Sequence, residues 1–210
     1  MRRYATLPFL LAAGCGLSTH VRPVPKGALA LEASVGGPAA RLGPAAIPLP
    51  LSAVGASYGL AERVDLSAHT HLTTLAAFKL AGLDAGGTWL AVEQRGFVPA
   101  VALTGRGYAF TQFVGGTLWY AEVSATASYL LGERTLAFVT VTGQVDFLHS
   151  AFDWAPGLGA EVKLGRFGLQ LEARWYDPTY DVRTSSVSWL SPFKQGAVGL
   201  VLGASYRFGP

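Results

Sequence analysis

One cysteine, Cys15, is all that the 210 residues contain, so no intramolecular disulfide can staple this chain. Charge is scarce too: 14% of residues are charged, where a soluble domain carries roughly 25%. No apolar run reaches the about 20 residues that a spanning helix needs. The longest, residues 4–14, is interrupted by Thr6 and Pro8. Clustered Lys and Arg are missing as well. Without Arg2 and Arg3, fourteen basic residues face thirteen acidic ones, a formal +1, and no basic patch remains. That excludes nucleic acid as a partner. Helical periodicity is absent beyond the first fifteen residues.

Half of the residues are nevertheless hydrophobic, and the mean hydropathy is +0.34. Lipid accepts two spanning structures, helices and closed barrels, because every backbone polar group must be paired within the protein. Strands are what the pattern offers. Phe167, Leu169, Leu171, Ala173 and Trp175 alternate with Gln170, Glu172, Arg174 and Tyr176. Val198, Leu200, Leu202, Ala204, Tyr206 and Phe208 alternate with Gly199, Gly203, Ser205 and Arg207. A period of two gives each strand two unlike faces. Ten such segments fall near 27–36, 49–60, 63–75, 77–92, 97–110, 115–130, 135–147, 156–164, 167–177 and 197–208. Gly82, Gly86 and Gly87 blur the phase of the fourth, so a count of eight stays open. The expected fold class is all-β: an antiparallel up-and-down transmembrane β-barrel of about ten strands.

The first residues read as a targeting segment: a basic Met1-Arg2-Arg3, a ten-residue apolar stretch over 4–13, then Leu11-Ala12-Ala13-Gly14-Cys15. These residues resemble the lipobox of bacterial lipoprotein precursors, although Ala12 stands where leucine is commonest. The resemblance implies a signal peptide over 1–14, cleavage before Cys15, and acylation of Cys15. Residues 15–26 then form a lipidated polar linker and 27–210 the barrel. Gly16, rather than an aspartate, follows the cysteine, which by the same resemblance favours the outer membrane. The ending Ala204-Ser205-Tyr206-Arg207-Phe208 resembles the C-terminal signal of bacterial outer-membrane proteins, with Gly209 and Pro210 as a departure. That resemblance implies barrel-insertion machinery as a partner.

Alternation alone does not say which face meets lipid. A soluble periplasmic barrel binding a small apolar ligand alternates with its faces reversed. Ser124, Thr126 and Ser128, like Ser67, His69, His71 and Thr73, are too small and polar for a dry core, and are assigned to a lumen. Trp119 and Tyr129 share the other face, ten residues apart. At about 3.3 Å rise and roughly 40° tilt this covers on the order of 25 Å, the height of an apolar band between aromatic girdles. Trp175, Tyr206 and Phe208 join them in the expected girdle. Tight turns near 61–63, 94–96, 132–134 and 165–166 alternate with longer connections at 37–48, 148–155 and 178–196. Short periplasmic turns and long outer loops are the habit of such barrels, with both termini in the periplasm for an even strand number.

The lumen is expected to hold a charge network of Glu32, Asp65, Arg106, Glu122, Asp146, Glu161, Lys163, Glu172, Arg174 and Arg207. Charges in a narrow barrel must be paired or hydrated. His69 and His71 share a face, and a cross-strand carboxylate would complete a metal site, but no third ligand is identifiable. His149-Ser150 near Asp146 and Asp153 supplies a base beside a hydroxyl, yet adjacent strand residues point to opposite faces. The expectation is therefore a structural or interacting barrel, with no catalytic residue, no cofactor and no metal. A narrow pore and an outer-membrane lipid hydrolase are the alternatives. Its partner is the lipid bilayer; oligomeric state is not readable.

Overall fold

The computed structural model describes residues 16–112, 115–148 and 150–209. The chain forms β1 (Leu29–Leu42), β2 (Ala45–Pro48), β3 (Leu51–Ala61), β4 (Val64–His71), α1 (Leu72–Phe78), β5 (Leu80–Val92), β6 (Ala100–Gln112), β7 (Thr117–Leu131), β8 (Thr135–Asp146), β9 (Ala151–Leu164), β10 (Phe167–Asp181) and β11 (Gln195–Phe208). Each of the long strands pairs antiparallel with the next, and β11 pairs back with β1 from Leu29↔Phe208 to Pro38↔Gly199. That last ladder closes ten strands into a barrel and removes the edge that lipid would not tolerate. Short β2 pairs only with the end of β1, as a hairpin rising from the rim.

The expected face assignment holds. Leu171 and Val141 are half-exposed on the outer wall, while Glu172 is fully buried and Thr142 nearly so. Apolar outward residues recur on every wall strand, among them Leu31, Leu66, Leu83, Leu103, Val123, Val139, Leu158, Leu169 and Leu202. Exposed leucine and valine in a continuous belt is what a lipid-facing wall requires, and it is the reverse of a soluble barrel. Aromatic residues sit at both ends of this belt. Trp119 and Phe152 lie at the end carrying the long loops. Phe167, Tyr206 and Phe208 form a ring cluster at the end carrying the tight turns and the C-terminus, with centroids 4.7 Å apart in each contact.

Three expectations are corrected. The third segment does not run to 75: β4 stops at His71 and a seven-residue helix follows. Leu72-Thr73-Thr74-Leu75 is too short to show a helical period, and Lys79 ends the helix in the left-handed region. The connections 37–48 and 148–155 are mostly strand: β1 runs to Leu42 and β2 covers Ala45–Pro48, and β9 begins at Ala151 and pairs with β8 from Asp146↔Ala151 onward. Residues 16–26 are not a linker outside the barrel; they lie within it.

Ring size explains why the lumen can take them. With about 4.8 Å between strands and about 40° tilt, ten strands close on a radius of about 10 Å and eight on about 8 Å. Eight strands leave room for their own side chains alone. Ten leave a column about as wide as one extended chain, and residues 16–26 occupy it.

Candidate functional site

The segment climbs the lumen from the foot of β1. At the turn end Gly27 donates to the Gly59 carbonyl at 2.8 Å, and Gly59 donates to Ala28 at 3.0 Å. Gly59 has to be glycine: a Cβ there would lie 2.0 Å from the Pro25 carbonyl oxygen. Higher up, Val24 N–H donates to Asp65 Oδ2 at 2.7 Å, and His20 Nε2 meets the same oxygen at 2.6 Å. Arg22 reaches sideways to Ser128 Oγ at 3.0 Å and Gln94 Oε1 at 2.9 Å. Thr19 gives both its N–H and its hydroxyl to the carboxylate of Glu172, at 3.0 and 2.9 Å. Arg174 donates to the Leu17 carbonyl at 3.3 Å, and Gly16 packs against the carbonyl oxygens of Leu51 and Gly36. Gly36 is seven residues up β1, which places Gly16 about 18 Å above the foot of the barrel at about 3.3 Å rise and about 40° tilt.

Composition fits this setting. A chain inside a barrel has no ladder partner, so each backbone N–H needs a side-chain acceptor or must be missing. Pro23 and Pro25 lack the donor, and the N–H groups of Thr19 and Val24 find Glu172 and Asp65. Val21 packs against Leu136 and Phe138, and Val24 against Ala28 and Ala30.

A second constellation sits beside the segment on β4, β5 and β6. Asp84 faces His69, with Nδ1 at 3.0 Å, and His71, with Nε2 at 2.8 Å, and Arg106 closes onto the same carboxylate. His69 Nε2 meets Glu32 at 2.9 Å, and Glu32 also accepts from Ser57 at 2.8 Å. Asp84 is the cross-strand carboxylate that the His69–His71 pair called for. The place of a metal cation is filled by the Arg106 guanidinium, and both nitrogens of His69 are engaged. Among the described residues no group of three or more His, Cys, Asp and Glu has metal-binding geometry. Above this, His71 packs on Phe110 at 5.2 Å between ring centroids, and Tyr108, Phe110 and Tyr120 form a buried aromatic cluster near the loop end. Gly82 opposite Phe110 leaves space for that ring.

Of the ten expected lumen charges, Asp65, Arg106, Asp146, Glu172 and Arg174 are buried. Glu32, Glu122, Glu161, Lys163 and Arg207 are half-buried on the same inner face. Glu172 pairs with Arg174 at 2.8 Å, and Glu122 accepts from Tyr108 at 2.8 Å. Register adds Asp84, opposite His69, and Asp153, opposite Gln144. The inner wall so counted carries eight carboxylates against four Lys and Arg, a formal surplus of four negative charges. The segment brings Arg22 and His20 to it, with Lys26 exposed at its foot. The girdle residues Trp119, Tyr129, Trp175, Tyr206 and Phe208 are exposed or half-buried, as outward positions require. Cys15 and His149 lie outside the described residues. Ser150 sits in the turn before β9 with φ 52°.

Little room is left around the segment. One cavity of about 120 Å³ opens beside it, lined by Arg22, Glu161, Lys163 and Arg207 among others. Deeper, a space of about 20 Å³ lies between Thr19, Arg106, Tyr108 and Glu122. A water needs about 10–15 Å³, so the deeper space holds one water and no hydrated ion.

No protein-family model matches the chain, and no curated protein matches it either. Among solved structures it is similar to a de novo designed transmembrane β-barrel, at 13% identity and TM-score 0.40 over 89% of this chain and 99% of that one. It is similar to the translocator domain of the autotransporter NalP from Neisseria meningitidis, at 12% identity and TM-score 0.44 over 97% and 95%. An outer-membrane channel from Pseudomonas putida F1 gives 10% identity and TM-score 0.43 over 91% and 99%. Likenesses this loose add nothing to the strand registers. The registers and the apolar outer wall define the class: a closed ten-stranded transmembrane β-barrel.

Proposed function

We propose that this protein is an outer-membrane β-barrel held closed by its own N-terminal segment, with a structural or interaction role and no catalytic activity. One observation carries the reading: residues 16–26 fill the column that ten strands would otherwise leave open. A lipid-facing barrel with short turns at one end and long loops at the other belongs in the outer membrane, its turn end in the periplasm. The Phe208 ending suits delivery by the barrel-insertion machinery. The test is electrical. Wild-type protein reconstituted in a planar bilayer, its fold checked by heat-modifiable migration, carries no steady current. Steady current from the folded wild type overturns the closed reading.

Acylation of Cys15, expected from the lipobox resemblance, and docking of the segment are alternative states of one molecule. Gly16 stands about 18 Å inside the barrel, while one residue reaches about 3.8 Å. A lipid on Cys15 in the periplasmic leaflet therefore requires the segment to be out of the lumen.

A further inference from the structure

We propose that residues 16–26 are a displaceable plug, and that the barrel without them conducts small monovalent cations. The inference rests on the closed-barrel reading and goes beyond it, from a filled lumen to a gated one.

Three observations carry it. The first is how the segment is held. Within the lumen its bonds go to wall side chains, chiefly Asp65, Glu172 and Ser128, and no ladder of backbone bonds joins it to a strand. Backbone pairing begins only at its foot, where Lys26 bridges to Gly59. Side-chain bonds of this kind break one by one without opening the barrel. The second is the hinge. Gly27 has φ +77°, a left-handed conformation, and a Cβ there would meet nothing within 4 Å. The chain can pivot at Gly27 while β1, which starts two residues later, stays in its ladders.

The third is charge. His20 lies 2.6 Å from Asp65 and 3.6 Å from Glu32, and Arg22 adds a formal positive charge inside the lumen. The wall carries a surplus of four negative charges once the segment is subtracted. Glu32, Asp84 and Glu172 keep wall partners in His69, His71, Arg106 and Arg174. Removing the segment nevertheless takes His20 from Asp65 and leaves the formal surplus, histidines counted neutral, for mobile cations to offset. Such a lumen, with low-dielectric walls, concentrates cations and repels anions. The Tyr108–Phe110–Tyr120 cluster near the loop end opposes opening, so conductance is expected to be small.

The experiment cuts the plug after folding, so that misfolding cannot imitate the result. A specific protease site is inserted between Lys26 and Gly27 of the full chain. The folded protein is placed in a planar bilayer under a tenfold KCl gradient, and protease is added at the turn end. Current is expected to appear only after cutting, with the reversal potential displaced toward the potassium equilibrium value. A synthetic peptide of residues 16–26 should then lower that current at least fivefold. A second, uncut variant, His20→Ala with Arg22→Ala, should show openings at least tenfold more frequent than wild type. Retention of the cut fragment would overturn displaceability. A released fragment with a silent, folded barrel would show that the aromatic cluster closes the lumen unaided. Anion-selective current would overturn the charge argument. The first and third overturn this proposal and leave the closed-barrel reading standing; the second overturns this proposal and also the reading that the segment is what holds the barrel closed.

Discussion

His20 and Asp65 meet at 2.6 Å across the lumen, one on a segment that belongs to no sheet and the other on β4, the third wall strand. Asp65 side-chain exposure is 0%, and its Oδ2 also accepts the Val24 N–H. A single carboxylate thus ties the segment to the wall at two points. Asp65→Ala should therefore destabilise the barrel far more than loss of a surface pair. Removing one partner of a buried pair costs about 3–5 kcal/mol, whereas an exposed pair contributes about 1 kcal/mol or less. Glu93→Gln, which breaks the half-exposed Arg63–Glu93 contact, is the control. Urea midpoints in detergent should separate the two variants clearly; equal midpoints would show that the segment adds no stability.

The outer wall yields an independent expectation. Leu171 and Val141 stand half-exposed near the middle of their strands. An arginine on a lipid face at the midplane costs about 2–4 kcal/mol. Leu171→Arg and Val141→Arg should each lower folding free energy in vesicles by that amount, while Leu171→Phe should be nearly neutral. Unchanged stability of both arginine variants would mean that this wall does not face lipid.

At the turn end, Phe208 contacts Tyr206, which contacts Phe167. An edge-to-face aromatic pair adds about 0.5–1.5 kcal/mol beyond its buried area, a modest part of a barrel's stability. Phe208→Ala should refold in detergent yet accumulate less in the membrane of cells, the outcome that the resemblance of the ending to an insertion signal implies. Deleting Gly209 and Pro210 should not reduce insertion. Normal insertion of Phe208→Ala in cells would place the signal elsewhere.

On the proposed reading, acylation of Cys15 and docking of residues 16–26 compete for the same few residues. Labelled palmitate should enter the wild type and not Cys15→Ser. If the two states are alternatives, protein that carries label should also be the fraction whose segment an added protease can cut. Label on fully protected protein would contradict the exclusion.

The walls were legible in the sequence because a strand of period two declares both of its faces at once. Glu172 in and Leu171 out follow from one row of residues. Ten alternating segments pointed to the strand count, with eight left open, and β1–β11 closure follows from the intolerance of lipid for a sheet edge. Asp84 escaped notice because Gly82, Gly86 and Gly87 give its strand no contrast between faces. Helix α1 escaped because seven residues hold no more than two turns. Residues 16–26 escaped for a different reason. A chain in a lumen has no period, and polarity with two prolines is also how a linker looks. Its trace was indirect. The expected inner face held six acidic and four basic residues, and a buried surplus of one sign calls for a counter-charge from elsewhere. His20, Arg22 and Lys26 were the unassigned cations nearest in the chain.

The docked segment is the claim on which the rest depends, and backbone hydrogen exchange measures it directly. Thr19 N–H and Val24 N–H are bonded inside the lumen to Glu172 and Asp65. In the refolded full chain both amides should exchange orders of magnitude more slowly than an unstructured peptide of the same sequence, as do the amides of the neighbouring strands. Exchange of both at the free-peptide rate, with the strands still protected, would show that the segment is not in the lumen.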